Sequence, residues 1–313
     1  MALLIIRKLF YACLSLVVVM TFTFLLMKMI PGDPFQQEQA LPSEIHQALR
    51  SHYGLNDSFL KQYGRYLKQA TTFNFGSSLV HKGQSVSQII RTSFPNSALL
   101  GGEALALSIP LGLLFGIAAA LKPKKAQGSL ITCLAVLGIS VPSFILATLL
   151  QYILGIKLGL FPIARWGSMM HSFLPALSLG FMPMAFIARL TRTKMIEELH
   201  QGYVTTARAK GIPEISIIAF HALRNILSPL FSFLGPLTAS ILTGSFIVEK
   251  IFSIPGLGYW FVSSVLNRDY PLIMGITVFY CAILLLTSLI ADIACLFVNP
   301  RLTAAALQER EKS

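Results

Sequence analysis

Charge is what this sequence has least of. Only 12% of its 313 residues are Asp, Glu, Lys or Arg, against about a quarter in a soluble globular domain, which excludes a water-facing surface over most of the chain. Acidic residues are the scarcer sign, 13 against 25 basic. The four cysteines, Cys13, Cys133, Cys281 and Cys295, form no CxxC and have no metal-binding neighbour, so no zinc site is indicated. All four fall in apolar runs and read as small core hydrophobes. HExxH and GxSxG are missing, as is a pair of aspartates at a common depth in the apolar runs, so the residues for hydrolysis within a bilayer are not there. GxxxxGK[ST] is also missing. The chain therefore has no Walker motif with which to bind ATP.

What is abundant is apolar sequence, 54% of the whole. Crossing a bilayer as helix takes about 20 apolar residues, and six runs qualify: 9–30, 97–121, 130–156, 173–191, 226–249 and 272–298. The expected fold is an all-α integral membrane protein of six transmembrane helices, a single domain over 1–313, with a long external loop at 31–96. The first run lacks a small-residue cleavage site and reads as a retained span rather than a signal. With the N-terminus cytoplasmic, the inner segments hold Arg7, Lys8, Lys122, Lys124, Lys125, Arg189, Arg192, Lys194, Arg208, Lys210, Arg224, Arg301, Arg310 and Lys312, while the two short outer loops hold Lys157, Arg165, Lys250 and Arg268. That imbalance fits the positive-inside rule and places both termini in the cytoplasm. The net charge of +12 is then mostly topological, with some attraction to anionic lipid. No soluble module offers the basic face that nucleic-acid binding would require.

In the external segment, Leu49, Tyr53, Leu60, Tyr63, Tyr66 and Leu67 recur near helical spacing, which predicts short amphipathic helices against the membrane or the spans. His46, His52 and His81 match no metal-ligand spacing and read as solvent-exposed. Two carboxylates fall within apolar runs, Glu103 in the second and Asp292 in the sixth, and such residues are candidates for function. Prolines interrupt the runs at Pro110, Pro142, Pro183, Pro229 and Pro236. Broken helices suit a moving pathway, and they suit a static bundle nearly as well.

Residues 192–225, between the fourth and fifth runs, are too polar to span and lie on the cytoplasmic side of this topology. Ile196 to Lys210 holds good helix formers without proline, Gly211 fits the position after a helix end, and Pro213 with Glu214 fits a following first turn. The prediction is helix, tight turn, short helix, with Ile215, Ile218, Ala219 and Ala222 on one face of the second helix. That face fits either a groove on a cytoplasmic partner or the membrane surface.

Tyr203, Thr206, Ala207, Arg208, Ala209, Lys210 and Gly211, followed by His221, Ala222, Leu223, Arg224 and Asn225, resemble the cytoplasmic "EAA" coupling loop of ABC importer permeases, in the branch serving oligopeptides, dipeptides and nickel. GSFIVEKIFSIPGLGYW from Gly244 to Trp260, NRDYPLIMG from Asn267 to Gly275, PGDP at 31–34 and NPR at 299–301 extend the resemblance to nearly the whole chain. Two positions depart from it: Thr205 stands at the namesake glutamate, removing a charge from one partner contact, and Asn299 replaces the aspartate of a terminal DPR.

The resemblance implies a permease in a bacterial cytoplasmic (inner) membrane. It would pair with a second homologous permease, two cytoplasmic ABC ATPases and an external solute-binding protein, and would bind no cofactor itself, ATP and Mg²⁺ belonging to the ATPases. It assigns ATPase coupling to Tyr203, Thr206, Ala207, Arg208, Ala209, Lys210, Gly211, Pro213, Glu214, His221 and Arg224. The candidate pathway or gate positions are Glu103 and Pro142, from the intramembrane charge and the proline break, with Gly244, Glu249, Pro255, Gly256 and Asp269 from the resembling stretches. Short peptides are the expected cargo, with nickel chelates or glutathione as narrower options. A stand-alone secondary carrier would show inverted repeats or a chain of intramembrane charges, neither of which is seen, and a membrane scaffold would have no use for proline-broken spans.

Overall fold

Residues 2–29, 43–52, 54–81, 83–121 and 126–298 are described in a computed structural model of the chain. The PGDP at 31–34 and the NPR at 299–301 lie outside them. The described residues are helical throughout, apart from turns and one isolated bridge between Ser77 and Ser85. In hydrocarbon every backbone amide and carbonyl must be bonded within the protein, and a helix does this within one segment.

The elements are α1 (Ala2–Met29), α2 (Ser43–His52), α3 (Phe59–Thr71), α4 (Val86–Leu121), α5 (Ala126–Ser140), α6 (Ser143–Leu150), α7 (Met169–Leu199), α8 (Gly202–Ala209), α9 (Glu214–Ser216), α10 (Leu223–Leu242), α11 (Phe246–Ile251), α12 (Leu257–Leu266) and α13 (Tyr270–Val298). Wider π-helical turns extend α6 over Gln151–Lys157 and join α9 to α10 over Ile217–Ala222. Among the described residues five apolar helical stretches are long enough to cross a membrane, and α5 with α6 supplies a sixth if the bent pair counts as one span.

That third span is interrupted at Pro142, as the proline within 130–156 leads one to expect. It breaks between Ser140 and Ser143 and turns through 104°. Pro142 stands at the break, starting α6 with a backbone at φ −58° and ψ 138°. The other four prolines sit inside helices without such a break: Pro110 in α4, Pro183 in α7, Pro229 and Pro236 in α10.

The chain forms two compact units, one built mainly from 98–254 with the end of α13, the other from 3–97 and 255–283. In the second, the segment between the first two spans does form short helices, α2 and α3, and its apolar residues share a core with the spans. Tyr66, Ala70, Phe75, Val86 and Ile89 pack with Met20 and Phe24 of α1 and Leu272 and Ile276 of α13. Tyr63 bonds Thr21 of α1 across 2.7 Å, whereas Leu60 is 78% exposed and takes no part. Asp269 is buried and ties two distant segments together. Its carboxylate accepts from the Ser78 hydroxyl and the Leu79 amide, the latter at 3.1 Å, and lies 3.4 Å from the Leu272 amide in the first turn of α13.

In the first unit the helices approach closely at glycine. A Cβ on Gly180 of α7 would sit 2.8 Å from the Ala104 carbonyl oxygen of α4, and one on Gly116 would sit 2.6 Å from the Ala188 carbonyl oxygen. Backbones meet there because no side chain intervenes. The cysteines only partly fulfil the expectation of core positions: Cys295 is buried, Cys281 half-buried, and Cys13 and Cys133 are exposed on the apolar outer surface of their helices, where lipid tails solvate a small thiol as readily as a protein core does.

Candidate functional site: the 198–226 loop and a cavity at two helix breaks

The loop is built around a left-handed glycine. After α8, Gly211 adopts φ +75°, a conformation that costs other residues a clash between Cβ and backbone. Its amide bonds the Arg208 carbonyl at 2.9 Å and the Ile212 amide bonds the Ala207 carbonyl at 3.2 Å, the paired bonds of a Schellman helix end. Pro213 starts the next turn, with the Ile217 amide bonding its carbonyl at 3.1 Å. Across the turn, Arg208 holds Glu214 through Nε to Oε1 at 2.6 Å and Nη2 to Oε2 at 3.3 Å. Val204, Ala207 and Ile217 close over the inside with Leu199 and Ile212 beside them.

A second tie joins three segments. The Tyr203 hydroxyl donates to Glu198 at the end of α7, and the Asn225 amide nitrogen of α10 reaches the same carboxylate at 2.9 Å and the Tyr203 oxygen at 3.2 Å. Partial burial, then the Glu198 carboxylate, push the Tyr203 hydroxyl up to about 12.

The predicted helix, turn and second helix are present, but α7 ends at Leu199 and α8 begins afresh at Gly202. Of the face predicted to meet a partner or the membrane, Ile215 and Ala219 point outward, Ile218 is half-buried and Ala222 is buried. Ile217, Ala222 and Ile226 are buried, while Ile215 at 80%, Phe220 at 74% and Ala219 are exposed. The π turn over Ile217–Ala222 is wider than an α turn, so an α-helical count from Ile215 holds at Ala219 and fails at Ala222, with Phe220 exposed instead. Of the candidate coupling residues, Ala207 is buried; Tyr203, Thr206, Arg208, Ala209, Lys210, Gly211, Pro213, Glu214, His221 and Arg224 are exposed.

The candidate pathway residues separate. Pro142 and Gly244 line one cavity of about 360 Å³, which also meets Met182 and Pro183 of α7 and Ser240 of α10. Both mark helix breaks, Gly244 at φ +90° between α10 and α11. Glu249 is fully buried on α11. Pro255 and Gly256 form the turn into α12, held by Asn96 on the Pro255 carbonyl at 2.9 Å and by Ser97 on the Leu257 amide at 2.8 Å. Asp269 has the structural role described above, and Glu103 is half-buried within α4. Sequence reading missed Met182 and Ser240, which carry no signal apart from the fold that brings them to Pro142. Among the described residues no cluster of three or more His, Cys, Asp or Glu could hold a metal ion.

Residues 112–304 match the family described as "Binding-protein-dependent transport system inner membrane component", and residues 1–101 match its N-terminal counterpart. The chain belongs to this family. The permease is 46% identical over 297 residues to the dipeptide transport system permease protein DppB of Bacillus subtilis, spanning 95% of this chain and 96% of that protein. It is 41% identical to DppB of Lactococcus lactis over 95% of this chain and 98% of that protein. Against the oligopeptide transport system permease protein OppB of Escherichia coli K12 it is 38% identical over 300 residues, again 95% and 98%. It is an integral membrane component of a transport system and not an enzyme.

Proposed function

We propose that this permease forms half of the translocation pathway of an ATP-driven importer of short peptides. The observation that carries this is full-length similarity to relatives named for dipeptide and oligopeptide transport. The working complex would add a second homologous permease, two cytoplasmic ABC ATPases that hold the ATP and Mg²⁺, and an external solute-binding protein. Both termini would lie in the cytoplasm. Nickel chelates or glutathione are the alternative cargoes.

In this reading the 198–226 loop is the mechanical joint. Ile215, Ala219 and Phe220 offer an exposed apolar tip for a groove on the ATPase. The tip moves with the spans because the loop is internally braced: the Gly211 turn, the Arg208–Glu214 pair and the Glu198–Tyr203–Asn225 tie fix α8 and the π turn to α7 and α10. Closure of the ATPase pair would then be delivered to two helices that also border the cavity at Pro142 and Gly244.

The test is recovery of the tagged chain in mild detergent with mass spectrometry of its companions, followed by uptake of a labelled neutral tripeptide in cells with and without the chain. Co-recovery of a second permease and Walker-containing ATPases, with uptake lost on deletion, is the expected result. Recovery of this chain alone, under conditions that preserve a known ABC importer, overturns the reading.

A further inference from the structure

Within the first unit, the cavity of about 360 Å³ where the α5–α6 break meets the α10–α11 break has a chemistry of its own. Its polar side chains are three hydroxyls, Ser143, Ser240 and Ser245, and no charged side chain lines it. Hydroxyls on membrane helices usually bond back to the preceding turn, as Ser140 does to the Val136 carbonyl at 2.9 Å, Ser178 to Pro175 at 2.8 Å and Ser232 to Ser228 at 3.3 Å. None of the three cavity hydroxyls has a protein partner among the described residues.

The backbone adds an acceptor. Pro183 of α7 has no amide hydrogen, so the carbonyl of Leu179, four residues earlier, loses its helical donor; both residues line the cavity. An unbonded carbonyl facing lipid is costly, and irregular or freed backbone is tolerated at membrane depth where it lines a polar cavity. Three hydroxyls without a side-chain bond and a carbonyl that has lost its i+4 helical donor together match what every peptide presents along its main chain, alternating N–H donors and C=O acceptors. They do not match an ion, which would require charge or a converging shell of oxygens.

We propose that this cavity is the permease's peptide contact site, that Ser143, Ser240, Ser245 and the Leu179 carbonyl hold the main chain of the passing peptide, and that its uncharged wall makes this half of the pathway indifferent to the sign of the peptide's side chains. The inference rests on the peptide-importer reading above. Met182, 43% exposed and lining the same cavity, supplies a flexible apolar surface for the side chains themselves.

The test measures uptake of three labelled tripeptides with a central Asp, Ala or Lys in cells whose only copy of this chain is wild type, Ser240→Asp or Ser240→Lys, at matched membrane levels. A charge introduced into a poorly solvated wall repels like charge strongly. Ser240→Asp is expected to lower the ratio of Asp to Lys tripeptide uptake by about fivefold or more relative to wild type, and Ser240→Lys to raise it by a similar factor. The same pair of changes at Ser143 should move the ratio in the same directions. An unchanged ratio in all four variants, whether uptake is intact or uniformly lost, overturns the proposal. Failure of the wild-type chain to restore uptake of the Ala tripeptide overturns the importer reading instead, so the two failures are distinguishable.

Discussion

At the scale of single residues, Gly211 is the position where one methyl-bearing side chain does the most with the least steric contact. A Cβ there meets nothing within 4 Å, so only the φ of +75° resists substitution. Gly211→Val should cost about 1–2 kcal/mol locally and loosen the turn without blocking insertion. Membrane abundance should stay near wild type while peptide uptake falls and ATPase activity no longer responds to cargo; unchanged uptake would remove Gly211 from the coupling role. Tyr203 gives a second residue-scale expectation, with its sign set by the raised pKa. A group raised on folding contributes stability fully below its unfolded value, here about 10, and loses it as pH rises through its folded value of about 12. Wild type should therefore show an extra loss of thermal stability in detergent between those two values. Tyr203→Phe should lack that step and be less stable at neutral pH by about 1 kcal/mol.

At the scale of elements, the contact between α4 and α7 depends on glycine facing backbone. Gly180→Val would drive methyl groups into the Ala104 carbonyl, which sits 2.8 Å from where even a single Cβ would fall. The overpacking should cost roughly 1–3 kcal/mol, seen as a lower melting temperature of the purified chain, with Gly180→Ala intermediate. The helices themselves were legible in sequence because long apolar runs admit one backbone solution in lipid. Which proline breaks a span sharply was not. Pro110, Pro142, Pro183, Pro229 and Pro236 look alike in sequence, yet only Pro142 stands at a sharp break, because a proline inside a helix is tolerated where the freed carbonyl finds another partner or lines a cavity. In the loop, the Gly211–Pro213 punctuation announced the turn correctly. The outward apolar face after it holds Ile215 and Ala219 as expected but not Ala222, which is buried while Phe220 is exposed, since a π turn leaves no mark in composition.

At the scale of the whole molecule, membrane orientation is the property on which every assignment of inside and outside depends. A reporter active only in the cytoplasm, fused after residue 313, should be active, and one inserted in the 157–168 segment should be silent; the reverse pattern would exchange the faces and place the 198–226 loop out of reach of any ATPase. The two buried carboxylates, Glu249 and Asp269, belong to this scale as well, because their burial and partners depend on the fold. Asp269 shows the consequence most plainly. Its carboxylate receives the Ser78 hydroxyl and the Leu79 amide, groups made some 190 positions earlier in synthesis. The segment that carries them must wait, across the emergence of nearly all the later spans, for the start of α13 to arrive on the same side of the membrane. Assembly of this unit thus has a built-in last step: the final helix both completes the set of spans and fastens down a segment made near the start, so a chain stopped before α13 leaves that segment without its Asp269 anchor.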